Sequence, residues 1–133
     1  MRASTELEDL IAGYFNAFTA GDVEWVDRHV SRDPALRLIG TDPSEWLRGG
    51  AGFELFRREA ASANGALTAE LSEIEAYRDG AVGWGAVLVE FTNRAGAIAR
   101  ARFSVVFRVE GDEWRMVSSH TSVAVPDADV FRP

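Results

Sequence analysis

The chain has 133 residues, 47% of them apolar, and a formal net charge of −7. That length fits one domain with a real core, and no apolar run approaches the ~18 residues of a membrane span. The acidic field excludes nucleic acid as a partner, and the absence of cysteine excludes disulfides and thiolate metal sites.

Met1-Arg2-Ala3-Ser4-Thr5-Glu6 holds no apolar signal region, so a cytoplasmic location is expected. Thr5-Glu6-Leu7-Glu8 reads as a capping box. Leu7, Leu10, Ile11, Tyr14, Phe15 and Phe18 then recur at helical spacing until Gly21. Asp22 can cap a short second helix through Val30, with Trp25, Val26 and His29 near one side. Ala35 to Ile39 is a short strand, and Gly40-Thr41-Asp42-Pro43 is turn chemistry. Gly49 to Gly52 leads into a third helix. Its Phe53, Phe56 and Ala60 share a face, while Arg57, Arg58 and Glu59 point elsewhere.

The remainder predicts a four-strand meander. Leu67, Ala69 and Leu71 alternate, and then Ile74 and Ala76 continue on the other parity, so a β-bulge is expected near Ser72 and Glu73. Asp79-Gly80 is a hairpin turn before a strand from Ala81 to Thr92. In the strand from Ala97 to Val109, Ala99, Ala101, Phe103, Val105 and Phe107 face one way, and Arg100, Arg102, Ser104 and Arg108 the other. Glu110 to Glu113 turns into a last strand, Trp114 to Ser122. Helices first and an antiparallel sheet afterwards argue an α+β fold. A strand of ~13 residues would span roughly 43 Å if straight, which is long for a domain of this size. The sheet is therefore expected to bend and to leave a pocket on its concave side.

Three stretches carry a family resemblance. They are Tyr14-Phe15-Asn16-Ala17-Phe18 followed by Gly21-Asp22; Ile39-Gly40-Thr41-Asp42-Pro43-Ser44-Glu45-Trp46; and Glu110-Gly111-Asp112-Glu113-Trp114 through His120-Thr121-Ser122. In order and spacing the chain resembles the nuclear-transport-factor-2-like superfamily, especially its polyketide-cyclase-like (SnoaL-like) and ketosteroid-isomerase-related branch. The resemblance implies a cystatin-like cone: three helices in the concave face of a curved sheet, around an internal pocket. It implies a homodimer through the outer sheet face. It does not imply an activity, because the fold hosts isomerases, cyclases, dehydratases, hydrolases and non-catalytic association domains.

Ketosteroid isomerase works with an aspartate base and an oxyanion hole of tyrosine and protonated aspartic acid. By resemblance the tyrosine falls on Tyr14, the base at about Gly40, and the oxyanion-hole acid at Ser104 or Val105. Glycine abstracts no proton, so Asp42, two residues on, is the substitute if the loop is reshaped; a plain turn is the other reading of Asp42. Trp84, Ala86, Leu88 and Glu90 share a parity that matches the family's pocket positions, which makes Glu90 an acid/base candidate; solvation or an arginine partner is its alternative. His120 can titrate near neutral pH. It shares a face with Trp114, Met116 and Ser118, against Val117, Ser119, Thr121 and Val123, and one residue of register decides which face is inside. A catalytic and an interface role both stay open for it.

The site candidates are thus Tyr14, Asp42, Glu90 and His120, with Phe18, Trp46, Phe53, Trp84, Leu88, Phe103 and Thr121 as pocket walls. The expected ligand is a small hydrophobic or aromatic molecule. Any chemistry is expected to be cofactor-free proton transfer, without a metal, since two isolated histidines and scattered carboxylates give no ligand spacing. The competing class is a non-catalytic ligand-binding or dimerisation domain.

Overall fold

The computed structural model describes residues 1–131. Its elements run β1 (Arg2–Ala3), α1 (Thr5–Ala20), α2 (Val23–His29), β2 (Arg37–Ile39), β3 (Trp46–Arg48), α3 (Gly49–Ala61), β4 (Leu67–Asp79), β5 (Val82–Asn93), β6 (Ile98–Glu110), β7 (Glu113–Ser122) and α4 (Asp127–Val130). One curved, unclosed sheet has the order β1-β4-β5-β6-β7-β2-β3. The expected α+β fold and the meander β4 to β7 are present. The sheet is not wholly antiparallel, because β2 joins β7 in parallel. The short β1 and β3 were not foreseen: two or three residues hold no readable period.

α1 starts one residue earlier than its capping box implied. Ser4, not Thr5, is the N-cap, and its hydroxyl accepts from the Leu7 N–H at 3.2 Å. Gly21 ends the helix in the left-handed region at φ 76°. Asp22 caps α2 as expected, accepting from the Trp25 N–H. Leu7, Ile11 and Phe15, four residues apart, form the buried stripe of α1.

This stripe lies over β5, and the contact decides which side of β5 faces in. A Cβ at Gly83 would stand 2.3 Å from Leu7 Cδ1, and one at Gly85 would stand 2.4 Å from Ile11 Cδ1. Those tips could turn aside, but the Tyr77 and Glu75 carbonyl oxygens, 2.8 and 2.9 Å from the same two Cβ positions, belong to the backbone, so the approach favours glycine. The inner parity is therefore Gly83, Gly85, Val87 and Val89, all buried. Trp84, Ala86, Leu88 and Glu90 point outward, which corrects the expectation that they face the interior.

Two bulges bend the sheet. The one expected in β4 is there: the register to β5 slips between Ser72 and Glu75, and Glu73 has φ 56°. A second lies in β7, where the register to β6 slips between Val106 and Phe107. It inverts the phase of β7. Trp114 and Met116 are buried before the slip and Ser119 after it, while His120 is exposed. Neither of the two faces read from the sequence survives whole, because alternation restarts at the bulge.

The core runs from Leu7, Val26, Val30 and Leu36 past Phe107 and Met116 to Phe103 and Phe56. Along β6 the inward residues then shrink from Phe103 to Ala101 and Ala99. Small side chains at this end leave volume that the helices do not fill.

Candidate functional site

That volume is a cavity of about 360 Å³. Tyr14, Phe15 and Phe18 of α1 and Phe56 and Glu59 of α3 form one side. Leu38 to Thr41, Glu45 and Leu47 of the β2–β3 hairpin form the second, and Leu67, Phe91, Ala99, Ala101, Thr121 and Val123 the third.

Tyr14 is fixed by its neighbours. Its ring stacks on Phe103 at 5.0 Å and on Phe56 at 5.9 Å, and it meets Phe15 edge-on at 4.9 Å. Its hydroxyl has no hydrogen-bond partner among the described residues. Burial pushes its pKa well above the usual phenol value, and the charges of Glu45 and Glu59 push it further. The hydroxyl is therefore a neutral donor at any ordinary pH.

The hairpin loop places one carboxylate by an unusual route. Gly40 N–H donates to the Glu45 carbonyl at 2.8 Å, and the Asp42 N–H donates to Glu45 Oε1 at 2.9 Å. The Glu45 side chain folds back over Gly40. A Cβ on Gly40 would lie 2.6 Å from Glu45 Cδ and 2.7 Å from Oε2. The resemblance assigns the family's base to about position 40. Here that space is taken by a carboxylate arriving from position 45.

Glu59 is the second carboxylate. It is exposed overall, at the cavity's rim, yet desolvation raises its pKa and Glu45 raises it further. Neither Glu45 nor Glu59 forms an ion pair with a described residue. Sequence reasoning missed both. Glu45 carried no signal, because a loop side chain folding back has no periodicity. Glu59 was expected to point away from Phe56, but it sits three residues after it and both line the cavity.

Of the residues singled out from the sequence, Tyr14, Phe18 and Thr121 line the cavity and the others do not. Asp42 is exposed, and its carboxylate accepts from Ser44 N–H at 2.9 Å and from the Ser44 hydroxyl. Those bonds hold its pKa below the usual range and fit the turn reading of Asp42. Glu90 lies on the outer face with Arg100 at 3.3 Å. Trp84 and Leu88 share that face, for the reason given for β5. His120 is also outside, across from Ser104 and bordering an open groove with Glu73, Glu75 and Arg102.

Trp46 is 56% exposed on the edge strand β3 and does not stand at the cavity. Phe53 is buried in the core beneath Arg32, whose guanidinium lies 4.2 Å from the ring centre. Phe103 is inward but one layer back, behind Tyr14. His29 Nδ1 lies 3.1 Å from the Trp114 carbonyl oxygen, at the edge of α2. Among the described residues no group of three or more histidine, aspartate or glutamate side chains could hold a metal. No described helix is long and apolar enough to cross a membrane.

A curved, unclosed sheet packed over helices is the fold of the nuclear-transport-factor-2-like superfamily. The chain belongs to the SnoaL-like domain family, whose model matches residues 7–126. No curated protein sequence matches it. Solved structures share the fold at low identity. A nuclear-transport-factor-2-like protein of unknown function from Pseudomonas putida KT2440 is 14% identical, with TM-score 0.76, covering 97% of this chain and 95% of its own. A superfamily protein from Salmonella enterica serovar Typhimurium is 19% identical, with TM-score 0.72 and 92% and 91% covered. A candidate dehydratase from Streptomyces avermitilis is 16% identical, with TM-score 0.73 and 90% and 94% covered.

Proposed function

We propose that the cavity binds a small apolar or aromatic molecule and moves a proton on it without a cofactor, in the manner of an isomerase, cyclase or dehydratase. The observation that carries this reading is the buried Tyr14 hydroxyl and two carboxylates, Glu45 and Glu59, without an ion-pair partner among the described residues, all lining one largely apolar cavity. Family membership supports the class of reaction, and the dehydratase name borne by the Streptomyces protein is consistent with it. Glu45 is the base, Glu59 the acid, and Tyr14 holds a substrate oxygen. The chain has neither lysine nor cysteine, so covalent catalysis through an amine or a thiolate is excluded.

The test is proton exchange. The protein is incubated with a panel of small apolar alcohols and ketones in D₂O, and deuterium entering the compounds is read by mass spectrometry. Exchange is expected for at least one compound, falling about 100-fold or more in Glu45→Gln. Tight binding without exchange would instead support the non-catalytic ligand-binding reading.

The outer sheet face is proposed as the contact with a second copy. Trp84, Val106 and Leu88 are exposed there, and the rings of Trp84 and Tyr77 lie 5.2 Å apart. Sedimentation at micromolar concentration is expected to show a dimer that Leu88→Arg converts to monomer. A monomeric parent protein would remove the interface.

A further inference from the structure

We infer that the cavity is built to stabilise positive charge, and that its substrate is a neutral apolar alcohol which loses its hydroxyl group as water through a cationic transition state. This rests on the cavity being a small-molecule site and adds the sign of the charge it handles.

Three independent features agree on that sign. The lining includes Glu45 and Glu59 but no arginine or histidine, and the whole chain has no lysine. The walls are aromatic: Tyr14, Phe18, Phe56 and Phe91 all border the space. An aromatic ring is negative over its face and attracts a cation. Finally, both helices reach the cavity with their C-terminal halves. Phe18 lies in the last turn of α1, Thr5–Ala20, and Glu59 in the last turn of α3, Gly49–Ala61. Helix C-termini carry partial negative charge. An enolate would meet two carboxylates and two such ends, with only neutral hydroxyls (Tyr14, Thr41 and Thr121) as side-chain donors among the described lining residues. Burial is the larger cause of the raised pKa values of Tyr14 and Glu59, and the charge of Glu45 adds to both.

The chemistry balances with the groups present. Glu59, as the acid, gives its proton to the substrate hydroxyl. The C–O bond breaks, its electron pair stays on oxygen, and water leaves. The cation is held by the Glu45 carboxylate and the ring faces. A proton on the adjacent carbon passes to Glu45, and the C–H electron pair becomes the second bond of the alkene. Glu59 ends ionised and Glu45 protonated, and exchange through solvent at the exposed Glu59 restores both. The hydroxyl must be one whose loss leaves a conjugated cation, allylic or benzylic.

Calorimetry with three probes of one shape reads the sign directly: 3-phenylpropylammonium, 3-phenylpropan-1-ol and 3-phenylpropanoate, each titrated into the full chain at pH 8. The ammonium is expected to bind about tenfold or more tighter than the alcohol, and the carboxylate about tenfold or more weaker. Glu45→Gln and Glu59→Gln should each narrow the spread between the ammonium and the carboxylate. A carboxylate that binds as well as the alcohol would overturn the inference, as would a spread that both variants leave intact. If the alcohol binds with no preference among charges, the small-molecule reading stands and only the sign falls. If none of the three binds, both fall together.

Discussion

Replacing Phe103 with alanine is expected to destabilise the protein by about 3–5 kcal/mol. The ring is 2% exposed and lies 5.0 Å from both Tyr14 and Phe15, stacked on the first and edge-on to the second. No neighbour can collapse into its place, because Tyr14 is already stacked on Phe56 and α1 is held against β5. Urea unfolding at neutral pH measures the loss. A value below about 1 kcal/mol would mean that the aromatic layer behind the cavity is loose. Tyr14 would then have no fixed position, and the roles assigned to its hydroxyl would lose their basis.

Gly85→Val should be comparably severe, about 3 kcal/mol, for the opposite reason. Even a bare Cβ there would meet Ile11 Cδ1 at 2.4 Å and the Glu75 carbonyl oxygen at 2.9 Å. The isoleucine tip can turn away, but the carbonyl belongs to the backbone of β4 and cannot. Valine adds two methyl groups to that conflict, so α1 must lift off the sheet. The control is Ala86→Val, one residue on and facing outward, where a change within about 0.5 kcal/mol is expected. Equal losses at the two positions would show that β5 is read with the wrong side inward.

That choice of side marks the limit of what sequence could supply here. The helices and the meander were legible because Leu7, Ile11 and Phe15 repeat at one period, Phe103, Val105 and Phe107 at another, and Asp79-Gly80 punctuates between strands. β5 is apolar on both parities. The resemblance placed Trp84 and Leu88 in the inner set, whereas the separation between α1 and the sheet selected Gly83 and Gly85. The inner face was set by the room available, which only the packed partner defines. In β7 the bulge breaks alternation within one strand, so no single parity could have been right for both Met116 and His120.

The site was legible to the same degree and for related reasons. Tyr14 and Phe18 lie on the regular apolar stripe of α1, and their periodicity put them where the cavity is, whereas Thr121 lies on β7, whose inner face the sequence left open. The carboxylates were sought at Asp42 and Glu90, on a turn and on a strand. The pair that borders the cavity comes from a side chain folded back over Gly40 and from the last turn of α3. A missing side chain at one position and a carboxylate five residues later can fill the same space, and aligning residues by position alone does not reveal it.

The slip in β4 has a consequence beyond curvature. β1 pairs only with Tyr77 and Arg78, so the rest of that strand is an open border of the sheet. Such borders invite strand addition from neighbouring molecules and, at worst, fibrils. The left-handed Glu73 interrupts the regular spacing of free N–H and C=O groups, and Glu70, Glu73 and Glu75 place like charges along it. The kink that shapes the cone therefore also guards the molecule against polymerising through its flank.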